Sequence, residues 1–170
     1  MTVFFTLVAI LQSFSISLGV GSSTLAISTF FVSIADGSIS PDERRMMGVV
    51  YIVLRVAMVL ILVTTLILQA TTYATVGFLP FNAAQLFLIL VLFVNAMLMT
   101  AHLVPSNFGP AIQAGSWYTL GVLAALVPLG LTDFTLTHFF MAYVTWVLFV
   151  IGLVNAIMAI LMARRNKLLK

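Results

Sequence analysis

The stretch that decides the fold is Ala35-Asp36-Gly37-Ser38-Ile39-Ser40-Pro41-Asp42-Glu43-Arg44-Arg45. It holds three of the chain's four acidic residues and two of its seven basic residues, and long apolar runs lie on both sides of it. Charged side chains are unfavourable in lipid, so a charged segment between two apolar runs indicates a turn in water between two membrane-spanning helices. We predict that the chain leaves the bilayer here, turns and enters it again.

The residues of this turn match two patterns. The segment Asp36–Glu43 resembles the second half of a calcium-binding EF-hand, but the first two ligand positions are Val32 and Ile34, which offer no side-chain oxygen. The same residues also match a helix start, with Ser40 as N-cap and a glutamate three positions later to close a capping box. We favour the helix start, because it needs no missing ligand.

The composition indicates a membrane protein of one domain, residues 1–170. The chain is 63% hydrophobic and 6% charged, with a mean hydropathy of +1.25, whereas soluble domains carry about 25% charged residues. A net charge of +3 could indicate nucleic acid in a soluble protein, but here the basic residues cluster as membrane topology signals, so no nucleic-acid partner is expected. The absence of cysteine excludes disulfides and thiol chemistry.

Five apolar segments are near or above the roughly 20 residues needed to cross the hydrocarbon core, and the fourth, which contains Pro128, is short. We therefore predict an all-α integral membrane bundle of about five transmembrane helices, with the lipid bilayer as its main surroundings. The predicted spans are Val3–Ile34, Met46–Tyr73, Ala83–Leu103, Ser116–Leu131 and Phe139–Met162.

The basic residues predict the orientation. Arg44 and Arg45 lie between the first two spans, and four more basic residues follow the fifth. An odd number of spans puts both groups on one side, which the positive-inside rule makes cytoplasmic. The N-terminus is then outside, the segment Pro105–Gly115 is a cytoplasmic loop, and Asp133 lies in an outer loop. We expect a multi-pass protein of the bacterial inner membrane.

Two predicted helices carry faces of small residues, at spacings of three and four that place them on one side of a helix. Such a face lets a neighbouring backbone approach closely; the alternative is a kink that lines a cavity, as in transporters with broken helices. The faces consist of Ser15, Gly19, Ser22 and Ala26 in the first helix, and of Gly152, Ala156 and Ala159 in the fifth.

Polar residues inside the spans are the first place to look for function, because lipid offers them no partners. Arg55, Asn95, His102 and Asn155 fall at similar depths, in the cytoplasmic half of three predicted helices. They are a candidate polar layer or anion site. Alternatively, Arg55 extends to the headgroups without inward partners.

The two histidines raise the question of a haem held by two imidazoles. In the predicted topology His138 begins the fifth helix outside, while His102 ends the third helix inside. They should be more than about 20 Å apart, given a rise of 1.5 Å per residue, and cannot ligate one iron. No cofactor and no metal site are predicted, and the sequence shows no catalytic motif.

The first seventy residues, and some later positions, resemble a group of small bacterial membrane proteins with no established activity. The resemblance implies an inner-membrane helical protein, and Gln12 stands where such proteins often carry a histidine. The residues that carry it are Gly19-Val20-Gly21-Ser22-Ser23-Thr24, Asp36-Gly37-Ser38-Ile39-Ser40, Glu43, Asn95, His102, Pro105 and Ser116-Trp117-Tyr118.

Three functions are compatible with these patterns. The first is a non-catalytic subunit or scaffold that packs against itself, as a homo-oligomer, or against other membrane subunits. The second is a small-solute or ion transporter or channel that uses the polar layer around Arg55. The third is a haem-binding electron carrier.

Overall fold

A computed structural model describes residues 2–37, 40–105 and 108–168 of the chain. The predicted all-α class is confirmed. The described residues form α1 (Thr2–Asp36), α2 (Pro41–Val76), α3 (Pro80–Thr100), α4 (Phe108–Leu126) and α5 (Leu136–Leu168). Ser38 and Ile39 of the predicted turn lie outside the described residues.

The start of α2 has the predicted capping box. The Ser40 hydroxyl accepts from the Glu43 backbone N–H at 3.2 Å, and the Glu43 carboxylate accepts from the Ser40 N–H at 2.7 Å. These bonds satisfy two of the donors that a helix start leaves free. Gly37 follows α1 with a φ of +77°, a left-handed conformation that favours glycine. The helix-start interpretation of this turn therefore holds.

Four of the helices are long and apolar enough to cross a membrane, which supports a multi-pass membrane protein. The helix α4 is not among them, because its several glycine and polar residues make it less apolar than the other four. The four candidate spans are Val3–Ala35, Pro41–Thr75, Pro80–Thr100 and Leu136–Lys167.

The predicted bounds of the fourth helix, Ser116–Leu131, are wrong at both ends. The helix begins at Phe108, so most of the predicted loop Pro105–Gly115 is helical. It ends at Leu126, because the next residue, Val127, precedes Pro128, and proline disfavours the α conformation of the residue before it. The third helix also ends earlier than predicted, at Thr100.

The helix α4 lies at the centre of the bundle, against α1, α3 and α5, while α2 packs on α1 and α3. Its Trp117 and Leu120 are fully buried together with Leu88 and Leu92 of α3 and Ile61 of α2. A helix enclosed in this way has little contact with lipid, so it can carry polar and small residues that a lipid-facing helix rarely has.

The basic residues of the two charged segments lie at the same end of the bundle. Arg165, near the end of α5, donates from Nη1 to the carbonyl oxygen of Ile34, near the end of α1, at 3.3 Å. The end of α1 and the tail of α5 are thus neighbours. We call this the basic end; its described basic residues, Arg44, Arg45, Arg164, Arg165 and Lys167, outnumber its acidic residues Asp36, Asp42 and Glu43.

Candidate functional site

The small-residue face of α1 is covered by α4. Gly19 is buried, and a Cβ atom built on it would lie 2.3 Å from Cε3 of Trp117, far inside van der Waals contact. Ser15 and Ser22 of the same face are buried as well. Gly21 lies on another side of α1, and a Cβ there would meet nothing within 4 Å. The packing interpretation therefore accounts for the face of α1.

The small-residue face of α5 has the opposite surroundings. Gly152, Ala156 and Ala159 are all exposed, and a Cβ atom on Gly152 would meet nothing within 4 Å. Of the four candidate spans, α5 also has the smallest share of residues buried inside the subunit. The other side of α5 packs on the bundle through Val150 and Val154. The second face thus points away from the rest of the chain.

Asn95 of the predicted polar layer is buried and joins α3 to α4. Its Nδ2 donates to the carbonyl oxygen of Gly109 at 2.9 Å and to Oε1 of Gln113 at 2.8 Å. The glycine at position 109 lets α3 and α4 come this close, because a Cβ atom there would lie 2.6 Å from Cγ of Met99, which is also on α3. The amide of Gln113 is therefore held with its oxygen towards Asn95, and its Nε2 donates to the sulfur of Met58 at 3.5 Å.

Arg55 lies on α2 opposite the last turn of α3 and is exposed. It lines a cavity of about 210 Å³ together with Gln113, Met99, Thr100 and Tyr51. Among the described residues, no oxygen accepts a hydrogen bond from its guanidinium. The positively charged side chain of Arg55 and the Gln113 amide, which Asn95 holds, therefore line the same cavity.

Two further cavities share lining residues with this one. A small cavity of about 50 Å³ is lined by Ser23, Tyr51 and Gln113, and a larger one of about 380 Å³ by His102, Tyr51 and Ser33. Tyr51 and Met99 line all three. We call the three adjoining cavities the Arg55 cleft; it lies between α1, α2, the end of α3 and the start of α4, and it extends towards the basic end.

The structure thus brings three of the four predicted polar residues to one region. Arg55 and His102 line the Arg55 cleft, and Asn95 holds the Gln113 amide that lines it. His102 follows α3, is exposed, and has a φ of +56°. Asn155 lies on α5 and donates from Nδ2 to the carbonyl oxygen of Ile151 of its own helix at 2.9 Å.

Gln113, Tyr51 and Ser23 are cleft residues that the sequence reasoning missed. Gln113 fell in the segment predicted as a loop, where a polar side chain attracts no notice. An amide in a helix among apolar residues is the signal that would have found it. Tyr51 and Ser23 have no such signal, because tyrosine is frequent near membrane interfaces and serine is frequent at helix contacts in membrane proteins.

A separate cavity of about 430 Å³ lies between α4 and α5, near the end opposite the basic end. Its lining is almost wholly apolar and includes Phe134, Phe139 and Trp146, with His138 at its edge. Tyr143 is hydrogen-bonded to Ser116 at 2.8 Å, and Trp146 donates to the carbonyl of Gly115 at 3.1 Å. These polar groups of the wall thus form hydrogen bonds within the protein and are not left over for a ligand.

The two histidines lie far apart. His138 is in the first turn of α5, whereas His102 shares its cavity with Ser33, near the end of α1 that contacts Arg165. The helix between His138 and Arg165 is roughly 40 Å long at 1.5 Å per residue. The two imidazoles cannot ligate one iron. Within the described ranges, no three side chains of histidine, aspartate or glutamate come together to hold a metal ion.

Comparison with known proteins gives no family for the chain: no family model, no curated protein and no solved structure matches it.

Proposed function

We propose that this chain is a multi-pass protein of the bacterial inner membrane that acts as a non-catalytic subunit and associates with a second copy of itself through α5. The observation that carries the proposal is the uncovered small-residue face of α5. The cleft and the apolar cavity lie elsewhere and do not explain this face.

Association in lipid depends on close packing rather than on the hydrophobic effect, because lipid is as apolar as the helix surface. The spacing of Gly152 and Ala156 is that of small residues at the contacts of transmembrane helices. An identical face on a second copy fits it best, because a twofold axis lets one face pair with itself. The same kind of face on α1 is already covered by Trp117, which supports packing as the role of such faces in this chain.

The proposed orientation has the basic end in the cytoplasm. The contact between Arg165 and Ile34 supports the expectation that the charged turn and the tail lie on one side. We also propose α4 as a fifth crossing: its 19 residues extend about 28 Å, close to the hydrocarbon thickness. With five crossings the N-terminus is outside.

Disulfide cross-linking tests the association, since the chain has no cysteine of its own. A disulfide needs Cα atoms within roughly 7 Å of each other. We expect Gly152→Cys to form a cross-linked dimer on mild oxidation in native membranes. Leu153→Cys is the matched control, exposed on a neighbouring side of α5, and should stay monomeric. Equal cross-linking of both variants, or none in Gly152→Cys, would contradict the proposed interface.

Thiol labelling in intact cells tests the orientation. Asp42→Cys and Asn166→Cys, both exposed at or near the basic end, should be protected from a reagent that cannot cross the membrane. Thr75→Cys and Asp133→Cys, exposed near the opposite end, should react. Labelling of Asp42→Cys from outside would reverse the map, because the positive-inside argument depends on Arg44 and Arg45 beside it.

A further inference from the structure

We infer that the Arg55 cleft is a binding site for a tetrahedral oxyanion of the phosphate type. This goes beyond the proposed function, which does not use the cleft. The inference depends on two donor groups of the cleft wall, the guanidinium of Arg55 and the amide N–H of Gln113, for which the described residues supply no oxygen acceptor.

The donors come from three helices. Arg55 of α2 carries five N–H groups and a positive charge, and among the described residues it has no acceptor. Gln113 of α4 points its Nε2 at a thioether sulfur, a weak acceptor, because Asn95 holds its oxygen. The hydroxyl-bearing Tyr51 lines all three cavities.

Ser23 of α1 is an independent sign of an incomplete site. It is 3% exposed and lines the smallest of the three cavities, yet among the residues that the structure describes its hydroxyl has no hydrogen-bond partner. Other hydroxyls of α1, such as those of Ser28 and Ser33, donate to the carbonyl four residues earlier. An unpaired buried hydroxyl destabilises the folded protein, so a ligand oxygen that reached it through a small shift of the cavity wall would remove a penalty that the protein alone leaves.

The positive charge of the cleft favours an anionic ligand. None of the described residues that line the three cavities is an aspartate or a glutamate, so Arg55 is not neutralised by the wall. At the basic end beyond the mouth, the basic residues of the turn and the tail outnumber Asp36, Asp42 and Glu43, and this excess of positive charge favours the approach of anions. The planar fork of an arginine matches the oxygens of a phosphate group with two parallel bonds. Free phosphate and the headgroup of an anionic phospholipid share this chemistry.

Thermal unfolding of the full chain in an uncharged detergent tests the inference, because a ligand that binds the folded state raises the unfolding temperature. One arm adds inorganic phosphate against chloride at equal ionic strength. The other adds phosphatidylglycerol against phosphatidylcholine at equal mole fraction. A rise with inorganic phosphate indicates a free anion, and a rise with phosphatidylglycerol alone indicates a lipid headgroup.

Two matched variants decide whether the cleft is the site. Arg55→Gln should weaken the effective probe at least about tenfold, the size expected when charge-assisted hydrogen bonds are lost. Arg164→Gln removes one exposed charge at the basic end outside the cleft lining and should change binding less than about twofold. Helix content measured by circular dichroism confirms that both variants are folded. Equal weakening by both variants, or no rise with either probe, would overturn the inference.

Discussion

The small-residue faces of α1 and α5 follow the same sequence rule but have different neighbours. On α1, Gly19 is pressed against the ring of Trp117, and the face is part of the core. On α5, a Cβ atom built on Gly152 would meet no other described part of the chain within 4 Å, and its small neighbours are exposed. The spacing of small residues therefore indicates a surface suited to close packing, and only the fold shows whether the partner lies in the same chain.

The largest expected effect on stability belongs to the covered face. Gly19→Ala places a methyl group where the Trp117 ring now lies, so the ring must move within a filled core. Such overpacking lowers the free energy of unfolding by about 1–3 kcal/mol. Denaturation in mixed detergent micelles, followed by circular dichroism, measures the change.

Gly21→Ala is the control for this variant, because it makes the same change on the same helix in open space. It should leave the unfolding free energy unchanged or raise it by up to about 1 kcal/mol, the helix-propensity gain of alanine over glycine. A second check combines Gly19→Ala with Trp117→Leu: the smaller side chain should reduce the penalty of the alanine. If Gly19→Ala and Gly21→Ala are equally stable, the contact with Trp117 does not shape the α1 face.

The sequence predicts the helical class, the turn and the relation of the charged segments well, because each depends on local chemistry. The capping box is an example, because it needs only Ser40 and a glutamate three positions later, Glu43. The contact between Arg165 and Ile34 follows from the number of helices, since five helices that alternate in direction bring the two basic segments to one end of the bundle.

The helix α4 shows where sequence reasoning fails. Gly109, Pro110 and Gly115 suggest a loop when they are considered alone, and hydropathy is low around them. In the fold, Gly109 makes room for Met99, and the carbonyl of Gly115 accepts from Trp146. These residues serve contacts with distant parts of the chain, so no local pattern reveals them. The misplacement of α4 also hid Gln113 and, with it, the donor-rich wall of the Arg55 cleft.

The smallest effect on the stability of the subunit, and the largest on assembly, should come from Gly152→Leu. The new side chain enters open space, so the free energy of unfolding should only rise, by at most about 0.8 kcal/mol, through the helix propensity of leucine over glycine. A bulky side chain on the α5 face should nevertheless keep two copies from approaching closely. Gly21→Leu is the matched control, since it makes the same change on an open glycine of α1.

Energy transfer between labelled copies in liposomes tests the central claim most directly. A donor or an acceptor dye is attached to Asn166→Cys, the single thiol of each variant, and transfer is measured while the protein is diluted in lipid. The account predicts transfer above the random level for the background protein and for Gly21→Leu, and transfer at the random level for Gly152→Leu. Undiminished transfer in Gly152→Leu, or random transfer in the background protein, would contradict it.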